Sequence, residues 1–295
     1  MITMKKFYIA VMAVFALAAT SCEHIDLSEI ENEDTTEQVR KTKAFTFTVK
    51  GDFENPTFTR AYLATEETGL KDLWVLDYVD GELVQQVHQV PADEDWGKPK
   101  LQLEYGSHHV YFVASQGDEP VLDTEDGSIK WSVVRDTYWK DYEVTVVNTS
   151  NGNRAVTLDR VITKFTAKID DELKTGTAKV VITPARWYFG LDYTTGVPCQ
   201  MKENTAREVA IPAENIGVAG ASISMYGISA ASEWTTDVKV EAKKADGTVL
   251  GAVSIKNAPF VRNRATEYHG NLYGAGGEMN VGVNDGWNTP FSSEW

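Results

Sequence analysis

Cysteine is nearly missing from this chain. It occurs twice in 295 residues, at Cys22 and Cys199, which excludes the disulfide frameworks that hold small exported domains together. Histidine is almost as scarce: His24, His88, His108, His109 and His269 include no His-Glu-x-x-His or comparable zinc spacing. His108 and His109 are adjacent at the start of a strand-like run, so their side chains point to opposite faces and cannot hold one ion together. Basic residues are in deficit, 28 against 43 acidic ones for a formal net charge of −15. That balance argues against a nucleic-acid partner. There is no Gly-x-Ser-x-Gly elbow, phosphate-binding loop or dinucleotide fingerprint. The glycines of Gly274-Ala275-Gly276-Gly277 have no helix after them and read as a turn. Among so many carboxylates nothing selects a glycosidase pair. The expectation is therefore a non-enzyme with no cofactor and no metal site.

Long apolar runs are also lacking, with one short exception at the start. Lys5 and Lys6 precede an apolar stretch from Phe7 to Ala19. It falls short of the roughly 20 residues a membrane helix needs and has the layout of a cleaved export signal, residues 1–21. Ala19-Thr20-Ser21-Cys22 resembles a lipobox, which makes Cys22 the expected lipidation site and first mature residue. Each acyl CH₂ that enters the bilayer contributes about 0.8 kcal/mol, so several chains anchor firmly. Residues 22–42 are rich in acid from Glu23 to Glu37 and poor in apolar side chains, as expected of a solvated tether. Cys199, in Gly196-Val197-Pro198-Cys199, has no histidine beside it to activate the thiol and reads as a structural residue.

Beyond the tether the pattern has period two. Phe45, Phe47 and Val49 alternate with Thr46, Thr48 and Lys50, a half-buried strand. Leu73–Val79 and Leu83–Val90 flank Asp80-Gly81, and Val238–Ala242 and Val249–Ile255 flank Asp246-Gly247. Both are expected hairpins with type I′ turns. Many further short strand-like runs and little helix predict an all-β fold. The length suits two β-sandwich domains in tandem, Greek-key-like and of the transthyretin/immunoglobulin-like kind. The expected domains are 43–159 and 160–295, divided near Asp159-Arg160.

Three features bear on function. Arg60, in Thr59-Arg60-Ala61, sits in a polar segment where a trypsin-like protease can cut. A cut there would release the strand of Phe45, Phe47 and Val49 and expose an apolar groove with unpaired backbone, a receptor for another chain's strand. The tail, 278–295, carries Met279, Val281 and Val283 on one face, then Trp287, Phe291 and Trp295. It reads equally as the last strand of its own sandwich and as a donor for a neighbour. Trp131, Tyr138, Trp139 and Tyr142 read chiefly as core, with an exposed sugar-binding platform as the competing reading.

These residues together resemble the fimbrillins of type V pili. The resemblance rests on the lipobox at Ser21-Cys22, the strand closed by Thr59-Arg60-Ala61, and Asp72-Leu73-Trp74-Val75-Leu76-Asp77-Tyr78. It continues through Leu158-Asp159-Arg160-Val161, Phe165-Thr166-Ala167-Lys168-Ile169, Val261-Arg262-Asn263-Arg264, Trp287 and Trp295. It implies export to the outer membrane as a lipoprotein on Cys22 and cleavage between Arg60 and Ala61 by an arginine-specific, trypsin-like protease. It further implies loss of the strand bearing Phe45, Phe47 and Val49, and assembly with other pilus subunits on the cell surface. The donor would be the stretch with Met279, Val281, Val283, Trp287 and Trp295. A host protein or glycan is the implied adhesion ligand. The alternatives are an anchor subunit that keeps its strand and lipid, and a glycan-binding surface lipoprotein.

Overall fold

A computed structural model describes residues 41–51, 61–62, 68–274 and 279–284. The signal peptide, Cys22, nearly all of the tether, Arg60, Trp287 and Trp295 lie outside the described residues. The strands, numbered in chain order, begin with β1 (Thr42–Gly51), β2 (Ala61–Tyr62), β3 (Asp72–Val79), β4 (Glu82–Gln89), β5 (Lys100–Glu104) and β6 (Gly106–Ser115). They continue with β7 (Val121–Asp123), β8 (Ser128–Lys130), β9 (Thr137–Val146) and β10 (Asn153–Arg160). The second half contains β11 (Ile162–Ile169), β12 (Lys179–Pro184), β13 (Arg186–Asp192), β14 (Val197–Glu203) and β15 (Arg207–Ala210). It closes with β16 (Ala221–Ile228), β17 (Trp234–Lys243), β18 (Val249–Phe260), β19 (Arg264–Gly270) and β20 (Met279–Asn284). One 3-10 turn, Ala213–Asn215, is the only helical element among the described residues. The chain is all-β, of the β-sandwich type.

In the first sandwich β4-β3-β6-β9 forms one layer and β5-β1-β10 the other, with β10 reaching β9 only through Asp159 and Arg160. The layers enclose Phe45, Phe47, Val49, Leu73, Val75, Leu101, Leu103, Val110, Phe112, Val156 and Leu158. In the second, β15-β12-β17-β18 faces β16-β11-β19-β20. The strand connections are the same in both. Strands β1, β3, β4, β5, β6, β9 and β10 correspond in order and pairing to β11, β12, β15, β16, β17, β18 and β19. In each set of seven the first strand is parallel to the seventh and antiparallel to the fourth.

Each copy of this plan carries one inserted hairpin at a different point, β7-β8 after β6 and β13-β14 after β12. The two insertions pair with each other through β8 and β13 to form a further sheet, β14-β13-β8-β7. Its Ile129, Phe189 and Leu191, with the adjoining Trp131 and Tyr193, share one apolar cluster with Trp74, Leu76, Tyr78, Tyr111 and Val113 on the outer face of the first sandwich. That cover explains why β3 is buried at nearly every position: alternate residues enter different cores, so the strand reads as a continuous apolar run.

The two Asp-Gly turns differ. Asp80 and Gly81 both have positive φ, +51° and +84°, in a two-residue loop between Val79 and Glu82, the expected type I′ turn. At the second hairpin only Gly247 does (φ +88°), and its N–H donates to the Lys244 carbonyl. This is a type I turn closed by a left-handed glycine, not the type I′ turn expected, because the loop is longer than two residues.

Candidate functional site: the seat of the first strand

Strand β1 is interior. Thr46 to Gly51 run parallel to Asn153–Leu158 of β10, and Thr42 to Thr46 run antiparallel to Lys100–Glu104 of β5. Where β5 ends, the flanking chain takes over. The N–H of Phe47 donates to the Pro99 carbonyl and that of Val49 to the Gly97 carbonyl, both at 3.0 Å. Backbone groups on both sides of the strand are thereby paired, as burial demands.

Alternation places Phe45, Phe47 and Val49 inward, all at most 1% exposed. The ring of Phe47 meets Phe112 edge-on at 5.2 Å and Tyr142 at 5.7 Å, and Arg154 lies 5.7 Å from the Phe45 ring centroid. Each buried phenylalanine contributes about 1.5–3 kcal/mol relative to exposure. Without β1, β5 would have no strand partner among the described residues, and Phe112, Leu101 and Leu103 would face an empty slot.

A residue that sequence reasoning passed over helps seat the strand. The N–H of Thr46 donates to the Gly152 carbonyl at 2.7 Å. A Cβ at position 152 would lie 2.3 Å from the Ala44 carbonyl oxygen, closer than real contacts allow. Asn151-Gly152 looks like ordinary turn sequence. Only the parallel pairing reveals that the glycine is there for close approach.

Ala61 and Tyr62 form β2, which pairs with Gly51 and Lys50, so the backbone immediately after Arg60 is held against the end of β1. At the other end of the chain β20 pairs with β19, Val281 opposite Tyr268 and Val283 opposite Thr266, and Met279 packs partly buried on the second core. Here the tail strand completes its own sandwich as an edge strand.

The remaining candidate residues have structural places. Trp131 and Tyr138 are 2% and 1% exposed, the Trp139 indole N–H donates to the Tyr193 carbonyl at 2.7 Å, and Tyr142 packs on Phe47. No sugar platform forms from these four. Burial first, and then Asp192, push the Cys199 thiol up to about 11 against a smaller opposing effect of Lys130, so it is protonated at neutral pH. Between β3 and β6, His108 Nδ1 lies 2.8 Å from Asp77 Oδ1 and its Nε2 lies 2.9 Å from the Glu104 carbonyl. Burial raises the Asp77 pKa despite the opposing effect of His108. At the end of β10, the Arg160 guanidinium donates to Asp136 (2.7 and 3.2 Å) and to the Tyr138 hydroxyl (2.6 Å). A lone charge at that depth would be costly.

No known family matches the chain, and no curated protein does. Solved structures do. A candidate adhesin from Bacteroides ovatus matches with a TM-score of 0.51 at 13% identity, over 85% of this chain and 95% of that one. A candidate polysaccharide-binding protein from Bacteroides thetaiotaomicron gives 0.54 at 10%, over 84% and 98%. The fimbrial anchor protein Mfa2 from Porphyromonas gingivalis gives 0.52 at 8%, over 84% and 98%. The chain shares its fold, over nearly the whole length of each, with adhesin and fimbrial proteins of Bacteroides and Porphyromonas.

Proposed function

We propose that this chain is a structural subunit of a cell-surface fimbria that supports adhesion, exported as an outer-membrane lipoprotein on Cys22 and performing no catalysis of its own. In this reading an arginine-specific protease cuts between Arg60 and Ala61, β1 leaves with the lipid, and a strand from another subunit takes its seat. The donor would be the neighbour's stretch from Met279 to Trp295. The observation that carries the reading is the position of β1. It is the chain's first described strand, it is interior with three core side chains, and one cut after it severs its only downstream connection. Backbone pairing in the vacated slot supplies affinity, and pockets for alternate side chains set register.

One observation favours a second reading, the anchor subunit that keeps its strand. Loss of β1 without replacement strands β5, so a subunit that is never cut gains a complete sandwich by retaining it. Limited trypsin digestion of the mature protein, read by intact mass and by native gel, separates the two. A single early cut after Arg60, followed by ladders that disappear when residues 278–295 are deleted, is expected of the polymerising subunit. A bond that resists while the protein stays monomeric belongs to the anchor.

A further inference from the structure

The register of β6 against β9 brings together side chains that the sequence separates. His109 lies directly opposite Glu143, and Tyr111 opposite Asp141. Residues opposite each other, and those two apart on one strand, share a face. His109, Asp141 and Glu143 therefore converge on the outer face of the first sandwich, where one ligand atom from each lies within 4.8 Å of the other two. His109 Nδ1 is 3.1 Å from both oxygens of Asp141, and its ring stacks on Tyr111 with centroids 6.0 Å apart. The imidazole is thus held from one side by an aromatic ring and from the other by a carboxylate.

A second observation points to a cation. Neither Asp141 nor Glu143 has a lysine or arginine ion pair among the described residues, whereas Asp118, Asp159, Asp237 and Glu241 all do. Two carboxylates thus lie beside one imidazole, with no lysine or arginine paired to either among the described residues.

We propose that His109, Asp141 and Glu143 form a binding site for a divalent transition-metal ion of the zinc type. One nitrogen and two oxygen donors suit zinc, which takes imidazole and carboxylate at about 2.0–2.2 Å. Calcium is disfavoured because it needs six to eight oxygen ligands. The three side chains are at least partly exposed, so small torsional changes bring their donors to the separation of about 3.3 Å that tetrahedral zinc requires. Three protein ligands leave the fourth position to water or to a donor from another molecule at this face.

Isothermal titration of zinc into the metal-free mature chain tests the assignment, with His109→Ala and Glu143→Gln as variants and His88→Ala as the control for an unrelated surface His–Asp pair. The expected result is that His109→Ala loses one zinc equivalent, Glu143→Gln binds it at least tenfold more weakly, and His88→Ala matches the parent. Excess calcium should not compete. Superposable circular-dichroism melts for the variants show that any loss is local, and Glu143→Gln preserves side-chain shape in case His109→Ala disturbs the sheet. The site is overturned if the parent binds no zinc, or if zinc stoichiometry and affinity are unchanged in both variants.

Discussion

The two sandwiches are built to one plan, yet their first strands stand in different covalent situations. Strand β1 and strand β11 each lie between a parallel last strand and an antiparallel fourth strand. Each also buries a central phenylalanine, Phe47 and Phe165, both at most 1% exposed. But β11 follows β10 through Val161 alone, so it is tied at both ends. Among the described residues β1 is followed by the rest of the fold but has no strand before it, so freeing β1 from them takes one cut, after Arg60, and freeing β11 takes two. In the proposed exchange the difference between the two strands is therefore not weaker burial but where the chain holds them, and the comparison can be tested from either side.

The largest effect should come from the two phenylalanines. Replacing Phe47 or Phe165 with alanine should each cost about 3–5 kcal/mol in the uncut protein, measured by urea unfolding. The distribution should differ. With Phe47→Ala, hydrogen exchange should rise first at β5, which depends on β1 alone for pairing. With Phe165→Ala, β5 should stay protected. After cleavage at Arg60, Phe47→Ala should also speed release of the β1 peptide, whereas Phe165→Ala should not. Equal release rates would remove the basis for calling β1 the exchangeable strand.

Next in size is Gly152→Ala. The added Cβ would meet the Ala44 carbonyl, and overpacking of this kind costs about 1–3 kcal/mol. Because the clash lies on the β1–β10 seam, the loss should appear as faster trypsin cutting at Arg60 as well as a lower unfolding midpoint. In the second half a Cβ at Gly251 would lie 2.6 Å from the Leu272 carbonyl oxygen, away from β1, so Gly251→Ala should lower the unfolding midpoint without speeding the cut at Arg60.

The sequence revealed the strands better than it revealed their neighbours. Phe45, Phe47 and Val49 were legible as one face because a sandwich interior selects alternation directly. Both Asp-Gly hairpins were legible as well, although Asp246-Gly247 closes a longer loop than its dipeptide suggests. The shared plan was not legible, because matching pairings are made by quite different residues in the two halves. Nor was the sheet built from β7-β8 and β13-β14, since short inserted hairpins find each other only in space. The candidate site was half visible: the alternation of its first strand is written in the sequence, but Gly152 needed the parallel register. His109 and Glu143 likewise became neighbours only once β6 and β9 were aligned.

A smaller difference concerns pH. Among the described residues, only the first sandwich buries a histidine against a carboxylate, Asp77 with His108. The folded-state pKa of Asp77 is raised, chiefly by burial. A carboxyl raised in this way stabilises the fold only while protonated, so its cost appears as pH climbs above its unfolded value of about 3.9. Asp77→Asn cannot ionise and escapes that cost. Its stability relative to the parent should therefore improve as pH rises above about 4, until the folded-state carboxyl itself ionises, and level off below. A gap that narrows with rising pH would mean that His108 more than offsets the burial of the anion.

The smallest effects separate the two turns. Gly81→Ala and Gly247→Ala each force a side chain into positive φ and should cost about 1 kcal/mol. The preceding residue tells them apart. Asp80 itself sits at φ +51° while Asp246 does not, so a β-branched replacement is strained at position 80 and unstrained at 246. Asp80→Val should therefore lower the urea midpoint more than Asp246→Val, even though Asp246 Oδ1 accepts the Thr248 N–H at 2.8 Å and Asp80 has no corresponding role in the strand pairing. If Asp246→Val proves the costlier change, that side-chain bond outweighs backbone strain, and the two hairpins differ by capping rather than by turn type.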